Sequence, residues 1–136
     1  GMMVDIAMKN GIDGFVAVYS TISRPMPKST RSRIAFSESG GLSVRPLRDR
    51  SLEVIRLVYR RVGNDYPIVG VGGIDGPESA WDAITSGATL IQLYSALVFN
   101  GPAVVKKTIR GLKRKLHQEG LTNLQDAVGI FSDNNR

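Results

Sequence analysis

The sequence predicts an α/β protein made of three parallel β/α units, and three observations predict it. Short apolar, β-rich runs recur at residues 14–19, 67–71 and 89–94, the pattern of strands buried in a parallel sheet. Between and after them lie segments whose apolar residues follow the 3.6-residue helical period. The connections between runs are long enough for a crossover, which parallel neighbours require.

Taken in chain order, residues 4–9 read as the end of a helix stopped by Asn10-Gly11. The first strand, 14–19, leads into a polar connection over 23–46 that carries Pro25, Pro27, Pro46 and the pair Gly40-Gly41. A connection of that length is either a functional lid or a linker. Ser51 is placed to cap the next helix, in which Leu52, Ile55, Val58 and Val62 share a face and Gly63 ends the run. After the second strand, Pro77 suits the first turn of a helix through Ala80, Trp81 and Ile84, stopped by Gly87. After the third, Pro102 opens a helix over 102–118 with Val105, Ile109, Leu112 and Leu116 on one face. Thr122 and Gln125 have the spacing of a capping box for a last short helix.

The chain has 136 residues, 42% hydrophobic and 22% charged, enough for one domain with a real core. Its apolar runs fall far short of the roughly 20 residues of a membrane span. The absence of cysteine excludes disulfides, thiolate zinc sites and cysteine nucleophiles, and the single histidine, His117, excludes a His-rich metal centre. His117 reads as a solvated residue near a helix end, and Trp81 and Tyr59 as packing residues. Neither a metal site nor a catalytic residue is assigned. No secretory signal opens the chain; Gly1-Met2-Met3 reads as a vector glycine before a start inside a helix.

The net charge of +6 is distributed in blocks. Residues 24–61 hold ten Lys/Arg against three acids, 62–105 hold four acids and no base, and 106–115 hold six bases and no acid. Clustered Lys/Arg would suit phosphate neutralisation, yet no nucleic-acid motif and no aromatic–basic interleaving accompany it. A solvated basic helix face and a basic loop are the simpler reading, and nucleic acid is not an expected partner.

Candidate chemistry gathers after the strands. Gly70-Val71-Gly72-Gly73 sits at the carboxyl end of the second strand, where backbone N–H groups without Cβ neighbours can approach an anion. One unit later, Tyr94-Ser95-Ala96-Leu97 could begin a short helical turn facing the same anion. Taken alone, the glycine run is equally a tight structural turn; paired with the second turn it reads as a phosphate site. The spacing is not the dinucleotide fingerprint, which needs a third glycine and a downstream acid.

Read together, these motifs resemble a known family. Gly11-Ile12-Asp13-Gly14, Thr21-Ile22-Ser23-Arg24-Pro25, Ser39-Gly40-Gly41-Leu42-Ser43 with Pro46-Leu47-Arg48, Gly70-Val71-Gly72-Gly73-Ile74, Gly87-Ala88-Thr89 with Gln92-Leu93-Tyr94-Ser95-Ala96-Leu97, and Gly101-Pro102 are similar to the C-terminal part of dihydroorotate dehydrogenase, of its membrane-associated, quinone-reducing class. The resemblance implies part of a (β/α)8 barrel, about three of its β/α units, with 23–46 as a lid-like loop and 102–118 as the last barrel helix. It implies FMN as cofactor, dihydroorotate and orotate as substrate and product, and quinone as electron acceptor. Gly72, Gly73, Tyr94 and Ser95 would hold the FMN phosphate, Ser43 and Val44 would lie beside it, and Val18 would border the cofactor. Tyr19 and Ser20 would face the substrate.

Two positions depart from the family pattern: its Thr-Asn-Thr is Val18-Tyr19-Ser20 here, and the glycine after Gly-Gly-Leu-Ser is Val44. A complete barrel takes about 250 residues, so the chain reads as a fragment lacking the serine base and the quinone-site helices. The location implied for the whole enzyme is the mitochondrial inner membrane, or the bacterial inner membrane in a prokaryote. The other reading is a diverged, non-catalytic half-barrel that binds phosphate or associates with itself. Either way, open sheet edges and uncovered apolar faces predict self-association.

Overall fold

The computed structural model describes residues 1–18, 20 and 47–133. In chain order it contains α1 (Met2–Lys9), β1 (Phe15–Ala17), α2 (Arg48–Val62), β2 (Ile68–Val71), α3 (Pro77–Thr85), β3 (Leu90–Gln92), α4 (Ser95–Asn100) and α5 (Ala103–Gln118), followed by a 3₁₀ turn, Leu124–Ala127. The strands form one parallel sheet in the order β1-β2-β3, with Val16 beside Val69 and Val69 beside Leu90. Each crossover passes through a helix, so all helices of the β/α units return over one face of the sheet, as a right-handed crossover dictates.

That face is the core. Ile55, Val58 and Val62 of α2 and Ala80 and Ala83 of α3 pack with Ile68 and Ala17 of the strands. α5 lies against α3 through Gly111, where a Cβ would stand 2.1 Å from the Cβ of Pro77. A second cluster joins Trp81 and Ile84 of α3 to Ala127, at the end of the 3₁₀ turn, and Val128 just beyond it.

The opposite face corrects the expectation of fully buried strands. Val16 is 64% exposed and Leu90 58%, and they stand in one register across Val69. Strand side chains alternate between faces, and the described helices cover only one of them. The strands are also shorter than their apolar runs.

Two caps differ from the spacing. α2 begins at Arg48 with Leu47 at its N-cap, so Ser51 lies inside the first turn, and its buried hydroxyl donates instead to Val71 O at 2.7 Å. At the last turn the cap is Asn123, whose Oδ1 accepts from Asp126 N at 3.2 Å, and Thr122 does not act as the cap. Surface ion pairs tie the helices together: Asp5 to Arg61 at 2.5 Å, Lys115 to Glu78 at 2.8 Å, and Arg48 to Asp82. The hydrogen bond from Arg61 holds the Asp5 carboxyl below the ordinary carboxylate range, and the bond to Glu78 raises Lys115. Such exposed pairs contribute little to stability individually.

Candidate functional site

A cavity of about 300 Å³ opens at the carboxyl ends of β2 and β3, the end at which α/β folds place their sites. Val71, Gly72, Gly73, Ile74 and Asp75 line it from the β2 turn; Gln92, Tyr94, Ser95 and Ala96 from the end of β3 into α4; Phe99 and Asn100 from the next turn of α4. Its volume is at the lower end of the roughly 300–1,000 Å³ of small-molecule sites. Four residues predicted to act together, Gly72, Gly73, Tyr94 and Ser95, therefore share one cavity, and α4 is the short helical turn expected after Tyr94.

The two glycines are dictated by the protein's own packing. Gly72 has φ +106°, and a Cβ there would meet Val18 O at 2.6 Å and Leu47 Cδ2 at 2.8 Å. Gly73 has φ +71°, and its Cβ would meet Arg48 N at 2.8 Å. Both are positive-φ positions that L side chains adopt only with strain, pressed against the start of α2. The absent side chains thus admit α2 and the end of β1, and the cavity is left with a backbone floor.

Val18 sits behind that floor: its N–H donates to Val71 O at 3.0 Å, and it is not among the residues lining the cavity. Ser20 is exposed and also outside the lining. Tyr19, Ser43, Val44 and the whole connection 23–46 lie outside the described residues. Asp75 lines the rim, with its carboxylate accepting from Ser79 Oγ at 3.0 Å. No Lys or Arg lines the cavity among the described residues. An anion held here would be met by backbone N–H groups, the Ser95 hydroxyl and the amides of Gln92 and Asn100.

The sequence reasoning missed Asp75, Gln92, Phe99, Asn100 and the supporting Ser51. Phe99 had a signal: in a helix starting at Ser95 it lies four residues on, on the same face. Ser51 had none, since its partner is twenty residues away across the fold.

Comparison with known proteins decides the family. The family model for dihydroorotate dehydrogenase matches residues 2–116. The chain belongs to the dihydroorotate dehydrogenase family. A relative from Streptomyces coelicolor, dihydroorotate dehydrogenase (quinone), is 44% identical over 127 residues, which is 93% of this chain and 34% of the relative. One of the same name from Nostoc punctiforme is 39% identical over 132 residues, covering 94% and 35%. The crystal structure of the Eimeria tenella dihydroorotate dehydrogenase in complex with ferulenol matches with a TM-score of 0.86 at 31% identity, covering 97% of this chain and 34% of that one. The chain thus spans about a third of the length of the relatives it matches, and its three β/α units are part of the (β/α)8 barrel of this family. Among the described residues no helix is long and apolar enough to cross a membrane.

Proposed function

We propose that this chain supplies the phosphate-binding end of the FMN site in a quinone-dependent dihydroorotate dehydrogenase, which oxidises dihydroorotate to orotate in pyrimidine biosynthesis. The observation that carries this reading is the single cavity at the strand ends formed by Gly72, Gly73, Tyr94 and Ser95. Its backbone floor and neutral donors suit a phosphate monoester held without salt bridges, since N–H and O–H groups bond strongly to an anion where solvent is partly excluded. When bound, FMN supplies the hydride-accepting chemistry; the residues of this chain orient it.

In this reading Gly72 and Gly73 present N–H groups, and Ser95 adds its hydroxyl and N–H. Ser43 and Val44 lie beside the phosphate, Val18 backs the turn, and Tyr19 and Ser20 face the substrate. The proton-accepting serine and the quinone-site helices come from the rest of the barrel. The whole enzyme works at the mitochondrial or bacterial inner membrane, where its quinone is dissolved.

A titration of FMN against riboflavin tests the phosphate grip, because riboflavin carries the same ring and chain without the phosphate. FMN is expected to show saturable fluorescence quenching at least tenfold tighter than riboflavin, and Ser95→Glu is expected to abolish that preference by opposing like charges. Equal affinities for the two flavins, or no saturation by FMN, would overturn the reading.

A second reading rests on the exposed apolar side chains. Val16, Leu90, Tyr94, Val98 and Phe99 are all exposed, and β1 and β3 are both sheet edges among the described strands. Residues on these faces are matched in a full barrel by neighbouring units, so the chain by itself is expected to self-associate. Light scattering should give a mass well above 14.8 kDa. A monomer at all concentrations would sink this expectation.

A further inference from the structure

α5 carries a stripe of positive charge on its outward side. Lys106, Arg110, Lys113 and His117 follow one another at spacings of four, three and four residues, which puts them on one helix face, with Lys107 and Arg114 beside them. The buried positions Val104, Thr108 and Gly111 lie on the other side of the helix. All five Lys/Arg of the stripe are exposed, and among the described residues none of them has a side-chain hydrogen bond or an ion pair; Lys115, on the α3 side, takes Glu78. Two shallow depressions follow the stripe. Lys106, Lys107, Arg110 and Arg114 border one, and Lys113, Arg114 and His117 the other.

This arrangement works against the helix that carries it. Lys106 with Arg110, and Arg110 with Arg114, are like charges four residues apart, a destabilising spacing. Lys106 and Lys107 also stand near the amino-terminal end, where the helix dipole favours anions. No acid lies between residues 103 and 118 to offset either effect. A surface of negative charge laid along the roughly 16 Å from Lys106 to His117 would relieve both.

We propose that the basic stripe of α5 is a docking surface for a bilayer containing anionic phospholipid, with its Lys and Arg side chains meeting the lipid phosphates. This rests on the reading of the chain as part of a quinone-dependent enzyme, because the quinone is dissolved in a bilayer, and it adds the surface by which these β/α units lie against that bilayer. Nucleic acid fits the stripe less well: residues 103–118 contain no Phe, Tyr or Trp on which a base could stack. Each Lys or Arg near an anionic membrane strengthens adsorption about fivefold, so the stripe acts through its sum.

The test is cosedimentation of the 136-residue chain with vesicles of phosphatidylglycerol and phosphatidylcholine in a one-to-two ratio, against vesicles of phosphatidylcholine alone. Binding is expected to the mixed vesicles only, and to fall steeply with added salt. Lys106→Gln combined with Arg110→Gln should weaken it about twentyfold, while Arg110→Lys, which keeps the charge, should leave it near the wild-type level. Lys9→Gln combined with Arg50→Gln removes the same net charge from exposed positions on other helices and should change binding less than about threefold. Equal binding to the two kinds of vesicle would mean that apolar surface alone is responsible, and would overturn the proposal. So would equal losses in the two double variants, or duplex DNA displacing the chain from the mixed vesicles at matched phosphate. The FMN-over-riboflavin preference, measured on the same samples, separates the two readings. A wild-type chain that keeps that preference and ignores anionic vesicles overturns the docking surface alone; one without the preference overturns the flavin site.

Discussion

Replacing Gly72 with alanine is expected to lower the unfolding free energy by roughly 2–6 kcal/mol, as the sum of two separate penalties. Holding a residue with a Cβ at an unfavourable positive φ costs about 1–3 kcal/mol. Forcing that Cβ into a filled space costs about another 1–3 kcal/mol, because Val18 O would lie 2.6 Å away and Leu47 Cδ2 2.8 Å. The first obstacle is backbone and cannot rotate aside, so relief requires β1 or the start of α2 to move. Urea denaturation followed by circular dichroism checks the value. A midpoint within experimental scatter of the wild type would show that the turn is slack and that Gly72 serves only the cavity. The result also governs how binding data are read: lost FMN affinity in a Gly72 variant would not by itself identify a phosphate contact. Ser95, whose side chain stands on the cavity wall, is the cleaner probe.

Trp81→Ala is the second large effect, expected at about 3–5 kcal/mol of lost stability. Trp81 is 5% exposed and packs with Ile84, Ala127 and Val128. It is one of the contacts through which α3 holds the segment beyond α5, beside the backbone bonds from Gly129 N to Ile84 O at 3.0 Å and from Phe131 N to Thr85 O at 2.8 Å. The indole packs between α3 and the 3₁₀ turn, with Leu112, Leu116 and Leu124 against the same cluster. Since whole-domain stabilities are commonly about 5–15 kcal/mol, a loss of this size would leave the chain partly unfolded at moderate temperature. Trp81 is the only tryptophan, so circular dichroism, and not intrinsic fluorescence, must follow the melt. A loss below about 1 kcal/mol would mean that the C-terminal turn is not part of the cooperative core. Tyr59 supplies an independent check: its one hydroxyl proton is shared between Asn64 Oδ1 at 3.2 Å and Val128 O at 3.4 Å, a weak arrangement whose removal in Tyr59→Phe should matter far less.

The β/α order was legible because it depends on local periodicity. Ile55, Val58 and Val62 are spaced for one helical face and are buried on one; Pro77 opens α3, and the turn after Tyr94 begins α4. The pairing of the Gly72 and Ser95 turns was legible for a related reason. Successive strands in such an array are neighbours, so the turns after two of them fall side by side. Family membership followed from the same residues, because motifs at fixed intervals along the chain survive without any knowledge of contacts. Val16 and Leu90 were misread as buried, since an apolar run does not report which of its two faces has a partner.

The sequence by itself determined which segments are helix and strand, their parallel order, and which two turns meet at one cavity. Each of these is a property of residues close together in the chain. Only the tertiary structure decided why Gly72 and Gly73 must be glycine, that Ser51 bonds Val71 and does not cap its helix, and that Trp81 holds the C-terminal turn. Those outcomes depend on distances between residues far apart in sequence, where a Cβ, a hydroxyl or an indole meets whatever the completed packing has placed there. In the site the division is sharpest: the sequence marked the glycines, and the fold showed that their missing side chains make room for α2 first and leave a backbone floor beneath the cavity.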